Sequence, residues 1–171
     1  MLNKYLKTRM KDARRLVEEL QKHYDYVSVL GTFVNNKSIV VSTHSSSIDD
    51  VDNECGFVIK VYKDGRYSEY SCNDIALIKS RDVIKAVKLE KVYSSDFAVR
   101  MLEEQEHTED FLREDKSKFS DRQIVDSLKK VKEKLEASDE RIINVMARYS
   151  KRQTSKIFVS AKKQLTQKYD W

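Results

Sequence analysis

Proline is absent from the 171 residues, and glycine occurs only at Gly31, Gly56 and Gly65. Three scattered glycines build neither a G-x-G-x-x-G turn nor a Walker A loop, which removes most nucleotide-binding folds. Cysteine is limited to Cys55 and Cys72, too few for a disulfide framework. Both are read as reduced, set face to face across a hairpin as a packing detail. Of the three histidines, His23, His44 and His107, none is followed by Glu and none has a second His within five residues. No apolar run approaches the ~18 residues needed to span a bilayer. The start, Met1 to Lys7, lacks the apolar core of a signal peptide. These absences predict a cytoplasmic chain with no membrane partner.

Charge is plentiful: 36% of residues are charged, against 40% hydrophobic, and the net charge is +5. It is uneven. Asp96 to Asp115 holds eight acidic and two basic residues, whereas Ser120 to Trp171 holds thirteen basic and seven acidic. The first stretch reads as an acidic connection. In the second the cations are interspersed with acids, Lys outnumbers Arg, and no aromatic signature of an RNA-binding sheet accompanies them. Nucleic acid is therefore not the expected partner.

Periodicity supplies the elements. Leu2, Leu6, Met10, Ala13, Leu16, Val17 and Leu20 recur at helical spacing. Residues 24–34 are β-branched and aromatic, Asn35-Asn36 suits a two-residue turn, and 37–43 reads as the return strand. A polar stretch, Ser45 to Asn53, precedes a strand with Phe57, Ile59 and Val61 on one face. Asp64-Gly65 then favours a type I′ turn into Arg66–Cys72. Asn73 is placed to cap a helix from Asp74, with Ser80 as an alternative start. Residues 93–119 show no clean period, apart from a turn of helix at Phe97, Met101 and Leu102. Ser120 and Gln123 form a capping box, Phe119 and Ile124 a hydrophobic staple, and Ile124, Leu128, Val131 and Leu135 a buried stripe. Ile143, Val145, Ala147 and Tyr149 alternate as a strand, Lys151 to Thr154 reads as a polar turn, and Lys156–Ser160 as the next strand. Gln164 to Trp171 starts one more.

The order helix, strand, polar turn, strand therefore occurs at 2–43 and again at 120–160. It predicts an α+β fold: a mostly antiparallel sheet of hairpins, covered by helices on one face and built from two helix-plus-hairpin units. The expected organisation is a single domain over 1–171, with units at 1–92 and 120–171 joined by the acidic connection at 93–119.

No constellation of catalytic groups emerges. His44, His107, Cys55 and Cys72 match no zinc spacing. Ser71 and Cys72 have no His near in sequence to activate them. Glu103, Glu104 and Glu106 read as a solvated acidic run rather than as paired catalytic carboxylates. The nine Tyr, six Phe and one Trp are expected mostly to pack in the sheet. No catalytic, cofactor-binding or metal-ligating residue is assigned.

Three stretches carry a family resemblance: Tyr24 to Thr32; Glu54 to Ser71, with Gly56-Phe57-Val58-Ile59-Lys60-Val61 leading to Asp64-Gly65; and Lys156 to Ser160 followed by Lys163 to Gln167. In order and spacing they resemble the N-terminal region of TldD/PmbA zinc metalloproteases, the group also labelled modulators of DNA gyrase. The resemblance implies a non-catalytic N-terminal domain that shapes a substrate cavity and dimer contacts. Zinc would be held by a His-Glu-x-x-x-His helix in a C-terminal domain absent from these residues, so the chain would be a fragment, inactive alone. Implied partners are a peptide substrate and a second TldD/PmbA-type subunit. The alternative is a free-standing interaction module that binds an acidic partner or nucleic acid.

Overall fold

The structure is a computed structural model that describes residues 2–87, 101, 103–113 and 119–171. Its elements are α1 (Lys4–Leu20), β1 (Tyr26–Ser42), β2 (Ser46–Lys63), β3 (Arg66–Cys72), a 3₁₀ turn (Ile75–Leu77), α2 (Ser80–Ala86), β4 (His107–Leu112), α3 (Asp121–Glu136), β5 (Met146–Ser160) and β6 (Lys163–Asp170). The strands form one sheet in the order β3-β2-β1-β5-β6-β4. Every neighbouring pair is antiparallel except β4 with β6. The expected α+β architecture is present.

The core lies where the period of α1 meets the period of the sheet. Asn3 caps α1 by accepting from the Tyr5 and Leu6 amides at 2.9 and 3.3 Å. Leu6, Ala13, Leu16, Val17 and Leu20 are buried against Val27, Val29, Phe57, Ile59, Ile157 and Val159. These strand residues alternate, so all point to one side. Gly31 sits among them for a steric reason: a Cβ there would stand 2.6 Å from the Phe57 ring and 2.9 Å from Ile157.

The continuity of the strands corrects the sequence reading in three places. Asn35-Asn36 does not turn: β1 runs straight through it, paired to β2 on one side and β5 on the other. The only local irregularity is a shift of the β2 register between Val34 and Asn36, where β2 carries the extra residue of a bulge. The polar stretch Ser45 to Asn53 is mostly strand, the first half of β2. Lys151 to Thr154 is likewise the middle of β5. Pairing on both sides of β1 satisfies backbone groups across these polar residues, and this outweighs their local turn preference.

Other expectations hold or shift slightly. Asp64 and Gly65 both take positive φ, 50° and 81°, and form the predicted tight turn. Asp74, not Asn73, caps the following turn by accepting from the Ala76 amide at 3.0 Å, and α2 starts only at Ser80, after extended backbone at Ile78. Ser120 and Gln123 form the capping box of α3. The stripe on α3, by contrast, is not buried: Val131 and Leu135 are 49% and 46% exposed, and no residue of the helix is buried. Phe119 is 67% exposed, so the staple covers little. Within the acidic segment, His107–Leu112 is a strand parallel to β6. Phe97 and Leu102 lie outside the described residues.

Candidate functional site

The residues with chemical potential do not converge. His23 follows α1, His44 lies between β1 and β2, and His107 is on β4, where its ring stands 2.8 Å from Glu109. Among the described residues no group of three or more His, Cys, Asp or Glu side chains is arranged to hold a metal. Cys55 and Cys72 are free thiols, half-buried against the core. Burial, then the negative charge of Asp74, then Cys55, pushes the Cys72 thiol up to about 11. Burial followed by Asp74 also raises Cys55. The thiolate is the reactive species, so these are packing thiols at neutral pH. The carboxylates separate as well: Glu104 accepts the Ser160 hydroxyl at 2.8 Å, and Glu103 stands 3.9 Å from Lys162.

What the fold does assemble is a surface. Alternation along β1 and β5 puts Val29, Ile157 and Val159 under α1, and Lys37, Ile39 and Val41 on that same side near α3. Both helices therefore cover one face, leaving the other open among the described residues. On the open face, the second strand positions of β5 display Arg148, Ser150, Arg152, Lys156 and Phe158. On β6 they display Leu165, Gln167, Tyr169 and the adjoining Trp171. Trp171 is held in line by exchanging backbone hydrogen bonds with Arg152 at 2.7 and 3.0 Å, while its side chain is 75% exposed. The Lys156 ammonium stands 5.9 Å from the centre of the Tyr169 ring.

Three adjoining hollows mark this surface. One of about 460 Å³ is lined by Asn36, Ser38, Arg148, Ser150, Arg152 and Trp171, among others. A second of about 710 Å³ includes Phe111, Gln167, Tyr169 and Trp171. A third of about 340 Å³ includes Leu30, Phe111, Lys156, Phe158 and Leu165. Phe111 joins the second to the third, and Trp171 joins the first to the second. The acids of this face include Asp49 and Glu54 on β2, Glu69 on β3 and Glu109 on β4 beside Leu165. Glu69 is engaged by Lys60 at 3.0 Å.

Sequence reading missed this track because it placed a turn at Lys151 to Thr154. Once β5 is one strand, Arg148, Arg152 and Lys156 fall at every fourth position and share a face. That spacing was the available signal.

No family model matches the chain, and no curated protein matches it. Solved structures do. A candidate modulator of DNA gyrase from Bacteroides thetaiotaomicron superposes with a TM-score of 0.69 at 18% identity, over 94% of this chain and 38% of that one. A second such protein, from Thermotoga maritima, gives 0.66 at 18% identity, over 94% and 37%. TldE from Thermococcus kodakarensis gives 0.54 at 10% identity, over 93% and 37%. The likeness is one of fold. This chain spans less than two-fifths of the length of these proteins. Among the described residues no helix is long and apolar enough to cross a membrane.

Proposed function

We propose that this chain acts as the non-catalytic domain of a TldD/PmbA-type metalloprotease in the cytoplasm, shaping the substrate cavity and the contact with a second subunit. The observation that carries this reading is the shared fold over 94% of the chain, matched to only 38% of a longer protein. In that reading zinc and the water it activates belong to a separate domain, because the reaction needs a His-Glu-x-x-x-His helix. The domain contributes walls and strand edges. An extended peptide lies naturally along such an edge, since main-chain hydrogen bonds supply affinity without demanding a particular sequence.

The test reads the natural coding frame beyond Trp171 and assays the purified chain against unfolded peptides with added zinc. A downstream His-Glu-x-x-x-His helix together with an inert 171-residue chain supports the reading. A stop codon at that point removes the protease assignment. Zinc-dependent cleavage by this chain alone overturns its non-catalytic role.

A further inference from the structure

We propose that the open face of β5 and β6 binds single-stranded nucleic acid, with Arg148, Arg152 and Lys156 each taking one phosphate, about every second one along the strand, and Trp171 and Tyr169 stacking on bases. This goes beyond the protease-domain reading and does not rest on it.

The case begins with spacing. Arg148, Arg152 and Lys156 recur every fourth residue of one strand, which puts their backbones about 13 Å apart in a straight row. Among the described residues none of the three has a carboxylate partner. Their charge is therefore available to an anion, and a row of fixed cations matches a linear polyanion better than a single phosphate. The neutral positions beside the row can donate hydrogen bonds. Ser150 lies between the arginines on β5, opposite Ser38 on β1, and Asn36 lies opposite Arg152.

The aromatic groups are the second observation. Tyr169 and Trp171 stand two residues apart on the same face of the strand next to the cations, so their side chains are about 7 Å apart along it. Two hydrogen bonds between the Trp171 and Arg152 main chains hold this position in the strand ladder beside the cation row. Alternating cations and aromatic faces along a groove is the arrangement that holds single strands regardless of sequence. An acidic peptide would use the cations but has no ring for the indole to stack on. The acids of the open face flank the path: Asp49 and Glu54 are on β2, two strands or about 10 Å from β5, and Glu109 is on β4, on the far side of β6, so the ligand runs along β5 and β6 rather than across the sheet.

The test is fluorescence anisotropy of a labelled oligothymidylate of about 15 nucleotides with the full chain, titrated over a range of salt. The expected log–log salt slope is about −2, from three phosphates on a single strand. Replacing both arginines (R148A with R152A) should reduce that slope by about 1 to 1.5. Trp171→Ala should weaken binding at least about fivefold and leave the slope unchanged. Lys129→Ala with Lys130→Ala, two exposed lysines of α3, removes the same charge elsewhere and should have little effect. Ultraviolet cross-linking to the unmodified protein should recover peptides containing Tyr169 or Trp171, which keeps the idea testable if a variant misfolds. Any of several results overturns it: no binding at low salt, equal weakening by the α3 pair, or cross-links confined to other elements. So does displacement of the oligonucleotide by polyglutamate at equal charge combined with an inert Trp171→Ala, which would mark an acidic-protein surface instead. Loss of the track in a dimer of the chain, seen by sedimentation, would do the same. None of these results bears on the coding frame beyond Trp171, so the two proposals fail separately.

Discussion

α1 and α3 are nearly equal in length, both are capped, and both lie on the same face of the sheet, yet α1 buries five side chains and α3 none. Their apolar patterns are equally regular, so the difference comes from what each helix meets. Under α1 the strands offer Val27, Val29, Phe57, Ile59, Ile157 and Val159. Near α3 the directly paired Lys37 and Lys151 replace such residues at one rung. Like charges side by side under a helix call for a polar answer, and Asp121 supplies it at 2.6 Å from Lys37. At the other end Thr43 donates to Glu136 at 2.8 Å. This hydrogen bond, then the one from Lys132, holds the Glu136 carboxyl below the usual range. One helix is fixed by apolar area and the other chiefly by its polar ends. An amphipathic stripe states what a helix can bury; the surface opposite decides how much it does.

The largest effect that would break this comparison is cavity formation. Leu16→Ala should cost about 3 kcal/mol in urea unfolding, because Leu16 is fully buried. The matching Leu128→Ala on α3 should cost less than about 1.5 kcal/mol, since that side chain is only half-buried. Equal losses would mean that α3 is sealed after all. Overpacking comes next. Gly31→Ala should cost about 1–3 kcal/mol, because the buried Phe57 and Ile157 side chains must move away from the new methyl group. A neutral outcome by thermal melting would show that the α1 half is looser than its contacts indicate.

The ionic tie of α1 to the loop after β3 sharpens the comparison through pH. Arg9 Nη2 donates to Asp74 Oδ2 at 3.1 Å, and Asp74 also caps Ala76. Burial by itself would raise the Asp74 carboxyl. The Ala76 amide and the Arg9 guanidinium outweigh it and hold the carboxyl below its ordinary value of 3.8. A lowered folded value means stability that is present above about pH 4, and that is lost as pH falls through the folded value. Asp74→Asn keeps a capping oxygen and removes the charge. It should lower stability by about 1 kcal/mol at neutral pH and flatten this part of the acid limb. An unchanged pH profile would remove the ion pair from the account. The smallest effect belongs to α3. Ser120→Ala should cost about 0.5–1 kcal/mol and speed amide exchange in the first turn of α3, leaving α1 protected. Faster exchange throughout α1 as well would mean that the two halves open together.

Much of the fold was legible where a local rule agreed with the tertiary result. Asp64-Gly65 turns because both residues accept positive φ, and Ser120 with Gln123 caps because side-chain reach fixes the geometry. Legibility failed in the long strands. β1, β2 and β5 have 17, 18 and 15 residues, far above the usual strand of about 5–6, and Asn35-Asn36 and Lys151 to Thr154 were natural places to divide two of them. The open-face track was lost by the same error, since a turn at 151–154 separates Arg152 from Lys156.

By itself the sequence determined the amphipathic α1, the alternating apolar positions of the strands, the tight turn at Asp64-Gly65, and the absence of a nucleotide loop or a spaced set of metal ligands. Each follows from spacing or side-chain type within a few residues. Only the tertiary structure decided that polar segments run on as strand, that α3 stays half-exposed, and that Arg148, Arg152, Lys156 and Trp171 share one open face. Those outcomes depend on pairing between residues more than one hundred positions apart, as when Ser28 meets Ser160 and Asn36 meets Arg152. A backbone hydrogen-bonded on both sides of a strand overrides the turn preference of any two or three residues within it.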